Sequence, residues 1–201
     1  THDDLATARE GFVTAAKNAH EAGFDGIEVH AANGYFLNEF LSTRMNQRDD
    51  EYGGGPQARV RYPAEVVSAV ADAVPEEFVV GIRISQTMVT DTDHQWEEGE
   101  DAASVFFEEL SAAGADYVHT TEPDATSPSF GEDGPTLAPP LLRRRACAAR
   151  AWLAWLASAC RKFPEGVRGS SCDAPALGRC AERMREWRGA KVLPVFGVNV
   201  R

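Results

Sequence analysis

The residues from Phe24 to Gly55 read FDGIEVHAANGYFLNEFLSTRMNQRDDEYGGG and give the clearest indication of the fold. Its first part sets Ile27 and Val29 apart by Glu28, and this alternation predicts a β-strand ending near His30. A long loop follows, which is expected to contain a short helix over 35–41. Loops of such length inside a compact domain are usually functional. The sequence therefore predicts a strand that is followed directly by a functional loop.

The flanking sequence repeats an order of helix and then strand. Apolar residues at helical spacing predict helices over 4–22, 57–73 and 100–113. Apolar, β-branched runs predict further strands over 78–85, 116–120 and 192–200. Pro63 is compatible with the second helix only if that helix begins near it. The alternation predicts an α/β fold with parallel strands.

Two architectures satisfy this alternation, a closed (β/α)8 barrel and an open doubly wound sheet. Periodicity alone does not choose between them. The first predicted strand is not followed by the G-x-G-x-x-G turn that opens a dinucleotide-binding sheet. That observation weakens the open sheet.

Charge divides the chain near residue 140. Residues 1–140 carry 27 acidic and 7 basic side chains, whereas residues 141–201 carry 4 and 13. Residues 141–190 form an atypical basic segment rich in Arg, Ala, Cys and Trp, which we interpret as either a product of a shifted reading frame or disordered. A gene sequence without a compensating insertion or deletion would contradict the frameshift. Residues 191–201 are expected to contain a further strand.

The composition excludes several classes of partner. A net charge of -11 argues against nucleic acid and against an anionic membrane surface. The sequence has neither an apolar stretch of membrane-spanning length nor a signal peptide, so we expect a soluble, cytoplasmic protein. The four cysteines lack a C-x-x-C pair and predict reduced thiols without a metal site. Small molecules remain as partners, and homo-oligomerisation stays open.

Three polar residues follow one another where the first predicted strand ends. His30 and Asn33 can both present N–H donors to a single oxygen, which would polarise an enone carbonyl and lower the electron density at its β-carbon. Tyr35 can supply a proton to the other alkene carbon. The spacing of these residues is equally compatible with roles that involve no catalysis. His30 could be structural, Asn33 could belong to an Asn-Gly turn, and Tyr35 could pack beside Phe36.

The string HAANGYFLNEFLSTRMNQRDDEYGG, residues 30–54, closely resembles a segment of the Old Yellow Enzyme family. That segment carries H-x-x-N-G-Y, then L-N-x-F-L, then N-x-R-x-D-x-Y-G-G. The flanks agree as well, with AGFDGIEVH before it and RVRYPAEVVSAV, GIRIS and YVHTTEP after it. The resemblance covers roughly residues 5 to 125.

The resemblance implies a partial (β/α)8 TIM barrel, roughly strands four to seven, with residues 1–140 as the central part of an FMN-binding barrel. It also implies reduction of the C=C bond of α,β-unsaturated carbonyl compounds with FMN as cofactor and NADPH or NADH as reductant. By position, His30 and Asn33 would bind the substrate oxygen, and Tyr35 would be the catalytic proton donor. Arg83 would bind the flavin, with a buried ion pair as its structural alternative.

Other residues of the matched region are expected to be structural. Five of them should hold the long loop together: Asn38, Asn46, Arg48, Asp50 and Tyr52. Gly53 and Gly54 should form a tight turn. We expect His94 to be a solvated loop residue and His119 to pack inside the barrel.

The resemblance also indicates that the chain is an internal fragment. The first three barrel strands and the loops that commonly bind the FMN phosphate fall outside it. Whether this chain is itself an enzyme stays open, and the alternative is an inactive truncated fragment or pseudogene product. Kinship with the larger dienoyl-CoA reductase and trimethylamine dehydrogenase relatives ranks lower, because no cysteine cluster for an iron-sulfur centre is present.

Overall fold

The computed structural model describes residues 1–124, 128–131 and 137, together with the backbone of a strand at 192–195. The helices are α1 His2–Glu21, α2 Phe36–Leu41, α3 Pro56–Ala73 and α4 Glu100–Ala112. The strands are β1 Gly26–Asn33, β2 Val79–Met88, β3 Tyr117–Thr120 and β4 Val192–Val195. The predicted order of helices and strands is confirmed. Strands β1 and β2 continue past their predicted ends.

These strands form one parallel sheet in the order β3-β2-β1-β4. Residues 26–31 of β1 pair with 79–84 of β2, and residues 81–84 of β2 pair with 117–120 of β3. The α/β fold with parallel strands is therefore confirmed. Because parallel strands point the same way, the carboxyl ends of β1, β2 and β3 lie together at one end of the sheet.

Strand β4 lies at the opposite edge of the sheet from β3. Residues 192–195 pair with 26–29 of β1. A barrel that continued in chain order would place this strand beside β3 instead. The numbering of these strands as four to seven of a barrel thus stays a prediction. The basic segment 141–190 lies outside the described residues, and so do the four cysteines.

Helices α1, α3 and α4 bury their apolar faces in one hydrophobic core with the sheet. Helix α1 begins with a capping box, in which Thr1 and Asp4 satisfy each other's backbone N–H groups. Large side chains that are almost fully buried come from helices α1 to α4 and from β1 and β2: Phe12, Ile27, Leu37, Leu41, Tyr62, Ile82, Ile84, Phe106 and Leu110. The core thereby fixes the strands that carry the site.

Helix α3 begins earlier than Pro63 requires. It starts at Pro56, in the first-turn position that suits proline, and Pro63 lies inside it. The predicted range 57–73 is therefore confirmed to within one residue, and only the condition that the helix begin near Pro63 was wrong. An interior proline removes one helical hydrogen bond. Here its ring is buried with Val60, Val66 and Val67 on the core side of the helix, and this burial offsets the lost bond.

Strand β1 is buried on both of its faces. The alternation around Glu28 is typical of a strand with one solvated face, yet Glu28 is only 7% exposed. A carboxylate in such a position requires partners. These partners lie on β2 and β3, as described below.

His94 was expected to be solvated, and this expectation was wrong. Its ring is 1% exposed. Nδ1 lies 2.6 Å from the Gln86 carbonyl oxygen, and Nε2 lies 2.7 Å from Ser42 Oγ. Since a carbonyl only accepts, Nδ1 carries the proton and the Ser42 hydroxyl donates to Nε2. The ring therefore joins the loop after α2 to the end of β2.

Replacing His94 by alanine is expected to lower the free energy of unfolding by about 1–3 kcal/mol, because the substitution leaves buried polar partners unsatisfied. Urea denaturation followed by circular dichroism measures this change. The control is His2→Ala, which removes an exposed imidazole paired with Glu51. Equal midpoints for the two variants would contradict the joining role of His94.

Within the described part of the chain, no helix combines the length and the apolar character that crossing a bilayer requires.

Candidate functional site

The candidate site lies where β1 and β2 end. His30 is 6% exposed and pairs in register with Arg83 of β2. Burial lowers the pKa of His30, and the positive charge of Arg83 lowers it further, against the opposing charge of Glu28. The imidazole is therefore neutral at pH 7. A neutral imidazole offers one N–H donor without carrying a charge.

Asn33 ends β1 in a left-handed conformation, with a φ angle of 64°. Its N–H donates to Ser85 Oγ at 2.7 Å, and its carbonyl accepts from Val89 N at 3.1 Å. Asparagine tolerates this backbone conformation better than most residues. The register between β1 and β2 also shifts here, between Ala31 and Asn33. The backbone of Asn33 is consequently fixed on both sides.

Asn38 of α2 fixes the turn that follows. Its Oδ1 accepts from Gly34 N at 2.7 Å, and its Nδ2 donates to the Ser85 carbonyl at 3.0 Å. Asn38 is 1% exposed and Ser85 is fully buried. The turn over 33–35 is thus held against β2 by two buried polar residues. The predicted structural role of Asn38 is confirmed, whereas Ser85 was missed because its contacts span about fifty positions of sequence.

Tyr35 is 57% exposed, and its ring lies 5.2 Å from that of His30 at a tilt of 53°. Its neighbour Phe36 packs instead against Phe40 and Tyr62. The alternative of Tyr35 as a packing residue beside Phe36 therefore has no support in these contacts. The structure brings Tyr35 to His30 and leaves its ring accessible to a ligand.

Arg83 belongs to a polar layer that crosses three strands. His30, Arg83 and His119 share one row of the sheet, and Glu28, Gly81 and Tyr117 share the row beneath it. Glu28 Oε1 accepts from Arg83 Nε at 2.7 Å. The alternative of an ion pair for Arg83 is thus realised, with a side chain that stays one-third exposed. His119 packs within the same layer, as expected.

Glu28 is ionised in this layer. Burial alone raises its pKa, but hydrogen bonds and charges from His119 and Arg83 outweigh burial, and the net pKa is lowered. His119 Nδ1 lies 2.9 Å from Glu28 Oε2, and the Tyr117 hydroxyl donates to the same oxygen at 3.1 Å. Burial, and then the charge of Glu28, raise the pKa of Tyr117. Tyr117 therefore stays protonated and remains a donor.

The remaining loop residues hold the loop together as predicted. Asn46 donates to the carbonyls of Phe40 and Tyr52 at 2.8 and 2.7 Å. Arg48 pairs with Asp50, and the guanidinium lowers the pKa of that carboxyl to about 2.

The two glycines that end this loop also meet expectation. Any side chain at Gly53 would collide with the Arg48 carbonyl, and Gly54 has a φ angle of 94°. A tight turn at this point excludes other residues.

The geometry supports a small-molecule site with distinct parts. A neutral donor stands beside an exposed phenol, and a guanidinium lies one strand away in the same row. Uncharged donors next to a hydroxyl suit polarisation of a carbonyl with proton delivery. The positive guanidinium suits the electron-rich edge of a planar cofactor.

Known proteins are similar to this chain in sequence and in architecture. The sequence profile of the NADH:flavin oxidoreductase / NADH oxidase family matches residues 1–136. A putative 12-oxophytodienoate reductase 9 from Oryza sativa subsp. japonica is 41% identical over 117 residues, which are 57% of this chain and 27% of that protein. A probable flavin mononucleotide-dependent alkene reductase from Leishmania infantum is 37% identical over 131 residues, or 65% of this chain and 35% of that protein.

Among solved structures, morphinone reductase in complex with tetrahydroNAD superposes with a TM-score of 0.55 at 41% identity. The match covers 64% of this chain and 34% of that protein. The chain thus spans about a third of the length of the relatives that it matches.

Proposed function

Because this chain belongs to the NADH:flavin oxidoreductase / NADH oxidase family, we propose that it carries the substrate-binding and proton-donating part of an FMN-dependent ene reductase. The substrates would be α,β-unsaturated carbonyl compounds, with NADPH or NADH as reductant. One observation carries the proposal: the neutral, buried His30 stands against the exposed Tyr35 at the end of a rigidly held turn. The alkene reductase activity named for the Leishmania relative supports the reaction class.

In the proposed reaction, His30 and Asn33 bind the carbonyl oxygen of the substrate. Two N–H donors at one oxygen stabilise the negative charge that develops there as the alkene is reduced. A neutral His30 serves this role without needing a counter-ion in a buried position. The rigid turn limits the movement of Asn33, so that little reorganisation is required when the substrate binds.

Tyr35 supplies the proton in this proposal. Its O–H protonates the α-carbon of the alkene as the β-carbon receives a hydride. The resulting phenolate regains its proton from solvent, which the 57% exposure of Tyr35 permits. The alkene thereby gains two hydrogens, and the nicotinamide cofactor is oxidised. The bound tetrahydroNAD in morphinone reductase supports a nicotinamide as the source of electrons.

The described residues fit one edge of FMN. The inner Nε of Arg83 is bound to Glu28, and the side chain remains one-third exposed. Arg83 would hold the pyrimidine edge of the ring through its terminal amino groups. When bound, FMN accepts electrons from the nicotinamide and delivers hydride to the alkene. A role for Arg83 in binding agrees with the family resemblance.

Replacing Tyr35 by phenylalanine tests the proton donor. Loss of a general acid costs about 10²- to 10⁴-fold in rate, and we expect the lower end because water can reach this exposed position. The measurement is the rate of NADPH or NADH oxidation with cyclohexenone by the purified protein supplied with FMN. Reoxidation of the reduced flavin by oxygen provides a second rate, which should not change.

Tyr52→Phe is the matched control, because the Tyr52 hydroxyl bonds Glu65 away from the site. It should retain the wild-type rate with cyclohexenone. Equal rates for Tyr35→Phe and Tyr52→Phe would contradict the role of Tyr35. Absence of activity in the wild-type protein would favour the inactive fragment or pseudogene product.

A further inference from the structure

A single carboxylate joins the three strands beneath the candidate site. Glu28 of β1 binds Arg83 of β2 through one oxygen, and it binds Tyr117 and His119 of β3 through the other. We propose that Glu28 is a positioning residue: it orients Arg83 and sets the net charge that this arginine presents to FMN. The inference rests on the proposed function, since it concerns the same cofactor.

Gly81 provides room for the Tyr117 ring, whose hydroxyl binds this carboxylate. A Cβ atom on Gly81 would lie 2.1 Å from the ring of Tyr117. Glycine at this position therefore allows the Tyr117 ring to lie across β2, so that its hydroxyl reaches Glu28 on β1. Glu28, Gly81 and Tyr117 lie one row below His30 in the sheet. A buried carboxylate with donors on two neighbouring strands has little freedom to turn.

Glu28 leaves the outer part of the guanidinium accessible. It accepts from the inner Nε–H of Arg83 at 2.7 Å. No hydrogen bond joins either terminal amino group of Arg83 to another residue in the described part of the chain. The guanidinium is rigid and planar, so a bond at Nε fixes the direction of both terminal groups. The site therefore presents two oriented donors.

Glu28 also offsets the positive charge of Arg83. Removing the carboxylate charge while keeping an acceptor isolates this effect, and Glu28→Gln does so because its amide oxygen can still accept from Nε. With the arginine no longer compensated, the reduced and more negative form of FMN is favoured. The variant should therefore raise the midpoint potential of bound FMN.

The potential is measured by equilibration of the FMN-loaded protein with redox dyes. We expect Glu28→Gln to shift the two-electron equilibrium at least tenfold toward reduced flavin, which is about 30 mV. The matched control is Glu65→Gln, because Glu65 likewise binds an arginine and a tyrosine hydroxyl, but at Arg9 and Tyr52 outside the layer. A purely structural role for Glu28 would not raise the potential, so equal potentials for the two variants would overturn the proposal.

A second readout requires no flavin and separates this inference from the proposed function. The Arg83 Nε–H proton, assigned by comparison with Arg83→Lys, should exchange slowly with solvent in nuclear magnetic resonance spectra. A bond to a charged group corresponds to about 10- to 100-fold protection, which Glu28→Ala should abolish and Glu65→Ala should not. Unchanged exchange in Glu28→Ala would refute the positioning role, even if the protein retains no FMN.

Discussion

Replacing His30 and Asn33 together by alanine is expected to reduce kcat/KM for cyclohexenone by about 10⁴-fold, since removal of one such donor costs roughly 10²- to 10³-fold and the two act on the same oxygen. The buried, neutral His30 and the rigidly held Asn33 are the basis for this expectation. The measurement is steady-state oxidation of NADPH or NADH with the enone by the FMN-loaded protein.

The double variant Asn18→Ala, His20→Ala serves as the control. Both residues are exposed on α1, and neither takes part in the hydrogen bonds that hold the turn over 33–35. The control should keep the wild-type kcat/KM, and both double variants should retain FMN and reoxidise it with oxygen at the same rate. If the His30, Asn33 double variant lost less than tenfold of its kcat/KM for cyclohexenone, binding of the carbonyl oxygen by these two residues would be contradicted.

Replacement of Arg59 is expected to lower the stability of the fold by a large amount. This residue is 1% exposed, and its guanidinium pairs with both carboxylate oxygens of Glu98 at 2.9 and 2.7 Å. It also donates to the carbonyls of Leu41 and Gly54. The Glu98 pKa is lowered, first through the hydrogen bonds from Arg59. Arg59 thereby ties α3 to the loop after α2 and to the loop before α4.

Arg59→Met should lower the free energy of unfolding by about 3 kcal/mol, the low end for one partner removed from a buried ion pair, because Glu98 is partly exposed. Chemical denaturation measures the change. Arg9→Met is the matched control: in its ion pair with Glu65 the arginine is 39% exposed, whereas Arg59 is 1% exposed, and the Arg9 pair should contribute at most about 1 kcal/mol. Similar losses for both variants would contradict the special role assigned to Arg59.

The sequence predicted most of the local structure. Helical spacing in α1 and α4, the alternation in β1 and the apolar run of β2 were sufficient to predict that these elements form. The strand was predicted to end near His30, whereas β1 continues to Asn33, so that both residues lie near the carboxyl end of the strand, where parallel sheets expose functional residues. The family resemblance supplied the remaining assignments around Asn33, Tyr35 and Arg83, and their catalytic roles remain proposals.

Other features depend on contacts between distant parts of the chain. The alternation of Glu28 with Ile27 and Val29 indicates a side chain on a solvated face. It does not reveal the hydrogen-bond donors on β2 and β3 that bind this carboxylate in the structure. His94 lies in an acidic stretch typical of solvated surface, yet it reaches Ser42, which is 52 residues away in the sequence. The position of β4 beside β1 is likewise a matter of tertiary pairing. Local patterns contain no signal for such contacts.

If these residues form a flavin site, the purified chain should retain FMN, and its absorbance spectrum measures this. The chain is mixed with excess FMN, desalted and scanned in the visible range, with Arg83→Met treated in parallel. We predict a retained flavin band close to one FMN per wild-type chain, and a weaker band for Arg83→Met. Complete loss of flavin from the wild-type chain on desalting would contradict the claim that this chain binds FMN.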